Sequence, residues 1–348
     1  MSLTHETGFI AALASVASGQ RGNSPEVRAH SASEDARGRA GDTRPEPGSS
    51  ARAAPVSVYF ETFAPERVTA RATVMMVHGG AHSGACYQRT ADGRPGWAYR
   101  FAGRGYRVVV PDWPGTGRSG YIALDKLDGA TVVDGLGALI RSLGAPVILL
   151  THSMSGCYGW RLLELHGDVI DIVVGVAPSP PGNIQKVTPV HAETETSIET
   201  EVFGGRVRVD KTAPVVPSRD FVVRKLVGES RYFPRDRLDG YAASLRPIPP
   251  KLWLERQNVH AGQLRVSDPR RLAGKRIFVI TGTADLDHSR EVDGAIVVWL
   301  EEQGANADFC FLADRGIVGN GHMLMMEENS DETAGIILDW LEGKKVET

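Results

Sequence analysis

Pro146-Val147-Ile148-Leu149-Leu150-Thr151-His152-Ser153-Met154-Ser155-Gly156 decides the reading of this chain. An apolar run stops at a serine flanked by small residues, and Cys157-Tyr158-Gly159-Trp160-Arg161-Leu162-Leu163 carries on as a helix. A strand that turns so sharply into a helix holds its central residue in a strained conformation. The side chains two before and two after must be small, because strand and helix nearly touch there. Thr151 and Ser155 hold those positions in place of the more usual glycines, and Gly156 is expected to supply the close helix–strand contact. Such a turn exposes the Ser153 hydroxyl at a helix N-terminus, where developing negative charge is favoured. Alone, the segment could equally be a buried serine-rich turn; its neighbours weigh against that.

Outward from this turn, Val74-Met75-Met76-Val77, Tyr106 to Val110, Ile170 to Val176 and Arg276 to Ile280 are short apolar runs of the kind buried on both faces of a sheet, the last two completing the expected set of parallel strands. Val56 to Phe60 reads as an earlier strand. Trp97 to Gly103, Val132 to Ser142 and Asp331 to Leu341 have helical periodicity. Strand and helix alternate, which predicts an α/β fold: a mostly parallel central sheet with helices on both faces. Residues 56–179 and 275–348 form the expected core. Residues 180–274 break the alternation with prolines, charges and scattered aromatics (Phe203, Phe221, Tyr232, Phe233, Tyr241, Trp253), too long a stretch for a simple loop. They are read as a cap of short helices inserted after the sixth strand.

The chain of 348 residues is 42% hydrophobic, enough for a large core, and its net charge of −3 gives no footprint for nucleic acid or an anionic membrane. No apolar run is long enough to span a bilayer as a helix. Cys86, Cys157 and Cys310 cannot all pair and share no ligand spacing, so free thiols in a reducing, cytoplasmic setting are expected. Gly8 to Ala17 has the look of a signal-peptide core, but Glu6 precedes it and no Lys or Arg does. Residues 1–55 are taken as a leader, disordered from about Ser18 because it carries almost no large apolar residue.

The chemistry rests on four pieces in chain order. His78-Gly79-Gly80-Ala81 follows a strand, and its glycines would let a backbone amide, of Gly80 or Ala81, approach a substrate carbonyl; the Met154 amide would be the second donor to an oxyanion. Ser153 is the candidate nucleophile. Asp285, in Thr281-Gly282-Thr283-Ala284-Asp285-Leu286-Asp287-His288, is the favoured acid, with Asp287 its competitor. His322, in Gly319-Asn320-Gly321-His322-Met323, is the candidate base, on a glycine-rich loop before the last helix. His82, His152 and His288 are expected to be polar lining, and His78 a structural hydrogen-bonding residue. No spacing suggests a metal, and no cofactor is needed.

Together the serine turn, the H-G-G loop, Pro111-Asp112-Trp113-Pro114-Gly115-Thr116-Gly117-Arg118-Ser119-Gly120 and the late G-x-H resemble the α/β-hydrolase superfamily. Thr90-Ala91-Asp92-Gly93-Arg94-Pro95-Gly96-Trp97 and Gly319 to Met323 are similar to a small branch of bacterial and fungal serine esterases. The resemblance covers roughly residues 70–180 and 275–342. It implies a Ser-His-acid esterase or lactonase acting on a small molecule through an acyl-enzyme, and a homodimer. Amidase or carbon–carbon hydrolase chemistry, or ligand binding without turnover, are the alternatives. That branch carries its acid as a glutamate just after the sixth strand, whereas this chain reads Gly175-Val176-Ala177-Pro178-Ser179 there. Asp285 is therefore expected to supply the carboxylate.

Overall fold

Eight strands run in the order β1-β2-β4-β3-β5-β6-β10-β11. They are β1 (Leu3–Leu13), β2 (Pro55–Pro65), β3 (Thr73–Val77), β4 (Arg107–Pro111), β5 (Val147–His152), β6 (Ile170–Val176), β10 (Arg276–Thr281) and β11 (Asn306–Phe311). From β4 to β11 every pairing is parallel; β1 and β2 join antiparallel at one edge. The computed structural model describes residues 3–13, 55–144, 146–202 and 204–344.

The apolar runs lie at the sheet centre because both its faces are covered. Helices α1 (Trp97–Gly103) and α8 (Ser330–Leu341) pack one face through Trp97, Phe101, Ile337 and Leu338. On the other face lie α2 (Gly129–Leu143), α3 (Ser155–His166) and α7 (Arg290–Glu302), through Val132, Leu136, Trp160 and Ile296. Side-chain oxygens of Asp128 and Ser289 cap α2 and α7 by accepting from Thr131 N and Val292 N. Among the described residues no helix is long and apolar enough to cross a membrane.

Three expectations need correction. Residues 3–13, assigned to the leader and in part likened to a signal-peptide core, form a strand of the central sheet: β1 pairs along its whole length with β2, Leu3 opposite Pro65 and Leu13 opposite Pro55. The apolar run there is explained by an edge strand, which needs main-chain partners more than a buried face. Its side chains pack too: His5 stacks on Phe63 at 4.5 Å, Phe9 lies against Tyr59 at 5.1 Å, and Leu3 and Ile10 pack against the cores on the two faces of the sheet. The rest of the leader, residues 14–54, lies outside the described residues.

Second, the inserted region is not built of helices alone. β7 (Val190–Glu193), β8 (Ser197–Val202) and β9 (Gly205–Asp210) form an antiparallel sheet. Beside it come α4 (Arg219–Phe221), continuing into a π-helical turn at Val222–Val227, then α5 (Leu238–Ser244) and α6 (Pro250–Arg256). The charged alternation of S-I-E-T-E-V and G-R-V-R-V-D hid a hairpin that buries Ile198, Thr200 and Val209 on one side and exposes its charges on the other; Phe203 lies outside the described residues. Third, Arg276 to Ile280 does not end the sheet. β11 pairs parallel to β10, and its polar N-A-D-F-C-F reads weakly because it is an edge.

Candidate active site

The sharp turn after β5 gives Ser153 a φ of 53°, a strained value for a residue with a side chain. The turn is held by Ser155, whose hydroxyl donates to the His78 carbonyl and accepts from Trp113 Nε1 at 3.1 Å. The close helix–strand approach falls at Gly159, where a Cβ would lie 2.8 Å from Thr151 Cγ2. Gly156, expected in that role, instead faces the turn after β6: a Cβ there would lie 2.5 Å from Ser179 N.

Ser153, His322 and Asp285 form one hydrogen-bonded chain. His322 Nε2 is 2.8 Å from Ser153 Oγ, and Nδ1 is 2.5 Å from Asp285 Oδ2. With Asp285 ionised and acceptor-only, Nδ1 carries the proton and Nε2 is free to accept from the serine. The loops bearing acid and base are tied together by Gly319 N donating to Thr283 Oγ1 (2.7 Å) and Ala284 N to the Asn320 carbonyl (2.7 Å). Asp285 Oδ1 also accepts from the amides of Asp287 (3.0 Å) and His288 (3.3 Å). Burial opposes ionisation of Asp285, but the neighbouring His322 ring, the Lys225 charge and the hydrogen bond from His322 hold its carboxyl well below the usual carboxylate range. Burial pushes His322 down to about 4, against the pull of Asp285, so the imidazole is neutral at neutral pH.

Asp287 goes elsewhere. It makes an ion pair with Lys225, a residue of the inserted region that also stands 3.9 Å from Asp285 Oδ1. At the position of the branch's glutamate, Ala177 has a φ of 42° and its amide donates to the Ile280 carbonyl at 2.9 Å.

The loop after β3 runs against the serine turn. Gly79 has no room for a side chain, since a Cβ would lie 2.9 Å from Ser153 Cβ. Ala81 has a φ of 64°. Two contacts from the inserted region hold this loop: Arg246 N donates to the Ala81 carbonyl at 2.9 Å, and His82 bridges the Gly80 carbonyl (Nδ1, 2.8 Å) to the Tyr241 hydroxyl (Nε2, 2.9 Å). Burial lowers His82 to about 3, so the ring is neutral; Nδ1 donates to Gly80 and Nε2 accepts from Tyr241. Gly80, Ser153 and Met154 line a cavity of about 430 Å³ walled largely by Val202, Val215, Phe221, Leu226, Ile248 and Trp253.

His152 and His288 pack against the His322 ring. His152 Nε2 lies 3.1 Å from the His322 carbonyl, and His288 stacks on the His322 ring at 5.1 Å while its Nδ1 meets Asp293 Oδ1 at 2.8 Å. His78 behaves as a structural residue: Nε2 accepts from Trp113 N (3.3 Å) and Nδ1 donates to the Gly79 carbonyl (2.8 Å). Ligand atoms of Asp285, His288 and His322 lie within 4.8 Å of one another. A divalent cation there would have to displace the proton between Asp285 and His322, so the group fits a competing ion better than a cofactor.

A family model described as the alpha/beta hydrolase family matches residues 74–336. The chain belongs to this family. A fungal protein (Fungal sp., strain ATCC 74256) described as a probable secreted lipase is 24% identical over 82% of this chain and 86% of its own length. An epoxide hydrolase from Vigna radiata superposes with a TM-score of 0.57 at 16% identity, covering 83% of this chain and 95% of that one. A thermophilic esterase from Thermogutta terrifontis gives 0.54 at 16%, covering 84% and 96%.

Sequence reading missed two supports of this hydrolase's site. Glu327, only 1% exposed, accepts from Gly321 N (2.7 Å), Asn320 Nδ2 (2.5 Å) and the Ser230 hydroxyl, anchoring the segment that carries His322. Burial raises its carboxyl pKa, with those bonds working the other way. The Thr90–Trp97 motif braces the same segment: Arg94, held by Asp92 at 2.7 Å, donates to the Glu327 carbonyl (3.0 Å), and Trp97 Nε1 donates to the Ser330 carbonyl (2.9 Å). The sequence shows a glutamate shortly after the candidate base but nothing that marks it as buried.

Proposed function

We propose that the protein is a serine hydrolase that cleaves a carboxylic ester or lactone of a moderately large, apolar or aromatic substrate. The carrying observation is the Ser153–His322–Asp285 chain opening onto the largely apolar cavity. Family membership and the fungal lipase relative support ester chemistry.

Neutral His322 takes the Ser153 proton as Oγ attacks the carbonyl carbon, and Asp285 stabilises the imidazolium that forms. The oxyanion rests on the amides of Met154 and of Gly80 or Ala81, preorganised because the carbonyls on their loop are already bonded to His82 and Arg246. The carbon–oxygen bond to the leaving group breaks as His322 returns the proton to it. Water, deprotonated by His322, then cleaves the acyl-enzyme and regenerates Ser153. The cavity volume falls within the range of sites that enclose a small organic ligand.

Reaction with a fluorophosphonate probe, followed by intact-protein mass, tests this reading. A single adduct in wild type, absent in Ser153→Ala and strongly slowed in His322→Ala, is expected. Folded wild type that takes up no probe overturns it.

A further inference from the structure

The cavity beside Ser153 is apolar over most of its wall, but five charged side chains line it: Asp220, Arg224, Lys225, Arg256 and Asp287. Four of them pair off, Arg224 with Asp220 at 3.7 Å and Lys225 with Asp287. Arg256 is left over. Among the described residues it makes no ion pair and no hydrogen bond, although other charged groups of α6 are engaged: Lys251 Nζ with Asp128 at 2.8 Å, and Glu255 Oε2 with Gly129 N at 2.8 Å. The side-chain amide of Gln257 next to it is also without a partner among the described residues, and both side chains are half-buried.

A second, more polar cavity of about 320 Å³ shares Val202, Arg256, Gln257 and Asp287 with the first. Arg256 therefore stands on the wall between an apolar chamber holding the nucleophile and a polar one. The Arg256 guanidinium acts on the Asp287 carboxylate only from beyond ion-pair distance, so it is half-buried with its donors unused, and its planar fork matches a carboxylate in two parallel bonds. Removing the two internal pairs leaves one net positive charge on the wall, which fits one singly charged group.

We propose that Arg256, assisted by the Gln257 amide, binds a carboxylate carried by the substrate, so that the ester cleaved at Ser153 is the apolar half of a molecule with an acidic far end. The inference rests on the serine-hydrolase reading above and narrows its substrate class to acid-esters.

The test compares monomethyl suberate, which keeps one free carboxylate, with dimethyl suberate, which has none. Calorimetry on Ser153→Ala protein separates binding from turnover. It is expected to show the monoester binding more than tenfold more tightly than the diester, the preference falling to within about threefold in Ser153→Ala/Arg256→Met and surviving in part in Ser153→Ala/Arg256→Lys. That size corresponds to one charged hydrogen-bonded contact of about 1.5–3 kcal/mol. In protein with intact Ser153, the ratio of kcat/KM for monoester over diester should collapse in the same way with Arg256→Met. Equal binding of the two esters, or a preference that Arg256→Met leaves intact, overturns the subsite. Failure of the underlying reading looks different: monoester binds selectively, yet wild type releases methanol from neither ester and takes up no fluorophosphonate.

Discussion

Glu327 offers the sharpest test of how the His322 loop is held. Its Oε1 accepts from Gly321 N and the Ser230 hydroxyl, and its Oε2 from Asn320 Nδ2. Replacement by glutamine keeps the volume, but its amide would meet the Asn320 amide donor to donor. Asn320 can escape only by flipping, and it is locked reciprocally to Asn329, with Nδ2 to Oδ1 at 2.7 Å and the reverse at 3.1 Å. Asn329 would then flip too, turning its oxygen toward the Glu332 carboxylate that its Nδ2 now faces at 3.2 Å. One buried donor is left unsatisfied along either route, so Glu327→Gln should cost about 1–3 kcal/mol. Glu327→Ala strands the donors of Gly321, Asn320 and Ser230 together and should cost about 3–5 kcal/mol, some relaxation offsetting the full sum. Because Gly321 adjoins His322, a shift of even about 1 Å in the base should slow acylation roughly 10²-fold. Urea unfolding gives the first quantity and the rate of fluorophosphonate labelling the second. Glu327→Gln within about 0.5 kcal/mol of wild type, labelling at the wild-type rate, refutes the reasoning.

Three further outcomes follow from the site. Asp285→Asn should lower kcat about 10⁴-fold by stabilising the wrong His322 tautomer, while Asp287→Asn, which loses only its tie to Lys225, should cost less than about tenfold; steady-state kinetics on one ester decides between them. Tyr241→Phe leaves the buried His82 Nε2 without its donor and loosens the Gly80 loop, so stability should drop by about 1–2 kcal/mol and kcat should fall more than KM changes. Burial lowers His322 to about 4 and His82 to about 3, so the unfolded chain takes up those protons first as pH falls below about 6.5. The stability these two groups contribute is complete above that value, and at pH 5 about 4 kcal/mol of it should be gone; a urea midpoint independent of pH between 7 and 5 contradicts this.

The convergence of Ser153, Asp285 and His322 was legible in the sequence because it falls where chain direction and sheet register leave few choices. Ser153 announces itself by an apolar strand that must stop, and Asp285 and His322 lie in loops at the rim of the same sheet. The central strands were readable for the same reason: burial on both faces leaves near-continuous apolar runs. Edges were not readable. β1, β9 and β11 lie at sheet edges and are held largely by main-chain bonds, which any sequence can make, so their side chains carry a weak apolar signal. Nor could spacing reveal Glu327, Lys225 or Tyr241, whose partners lie 6, 60 and 159 residues away and meet only once the fold is built. The choice between Asp285 and Asp287 was open for a related reason: two residues apart on one turn, they differ only in which way each carboxylate faces.

The inserted region is more than a cover. Its backbone at Arg246 and its Tyr241 hydroxyl fix the carbonyls of the Gly80–Ala81 loop, and its Lys225 lies beside the carboxylate that orients His322. Moving α5 away from the core would break the Tyr241–His82 contact and leave the buried His82 Nε2 without its donor. The division of labour is then physical. Sheet register sets where Ser153, His322 and Asp285 meet, while the insertion supplies Ile248, Trp253 and Arg256 to the wall of the cavity beside them.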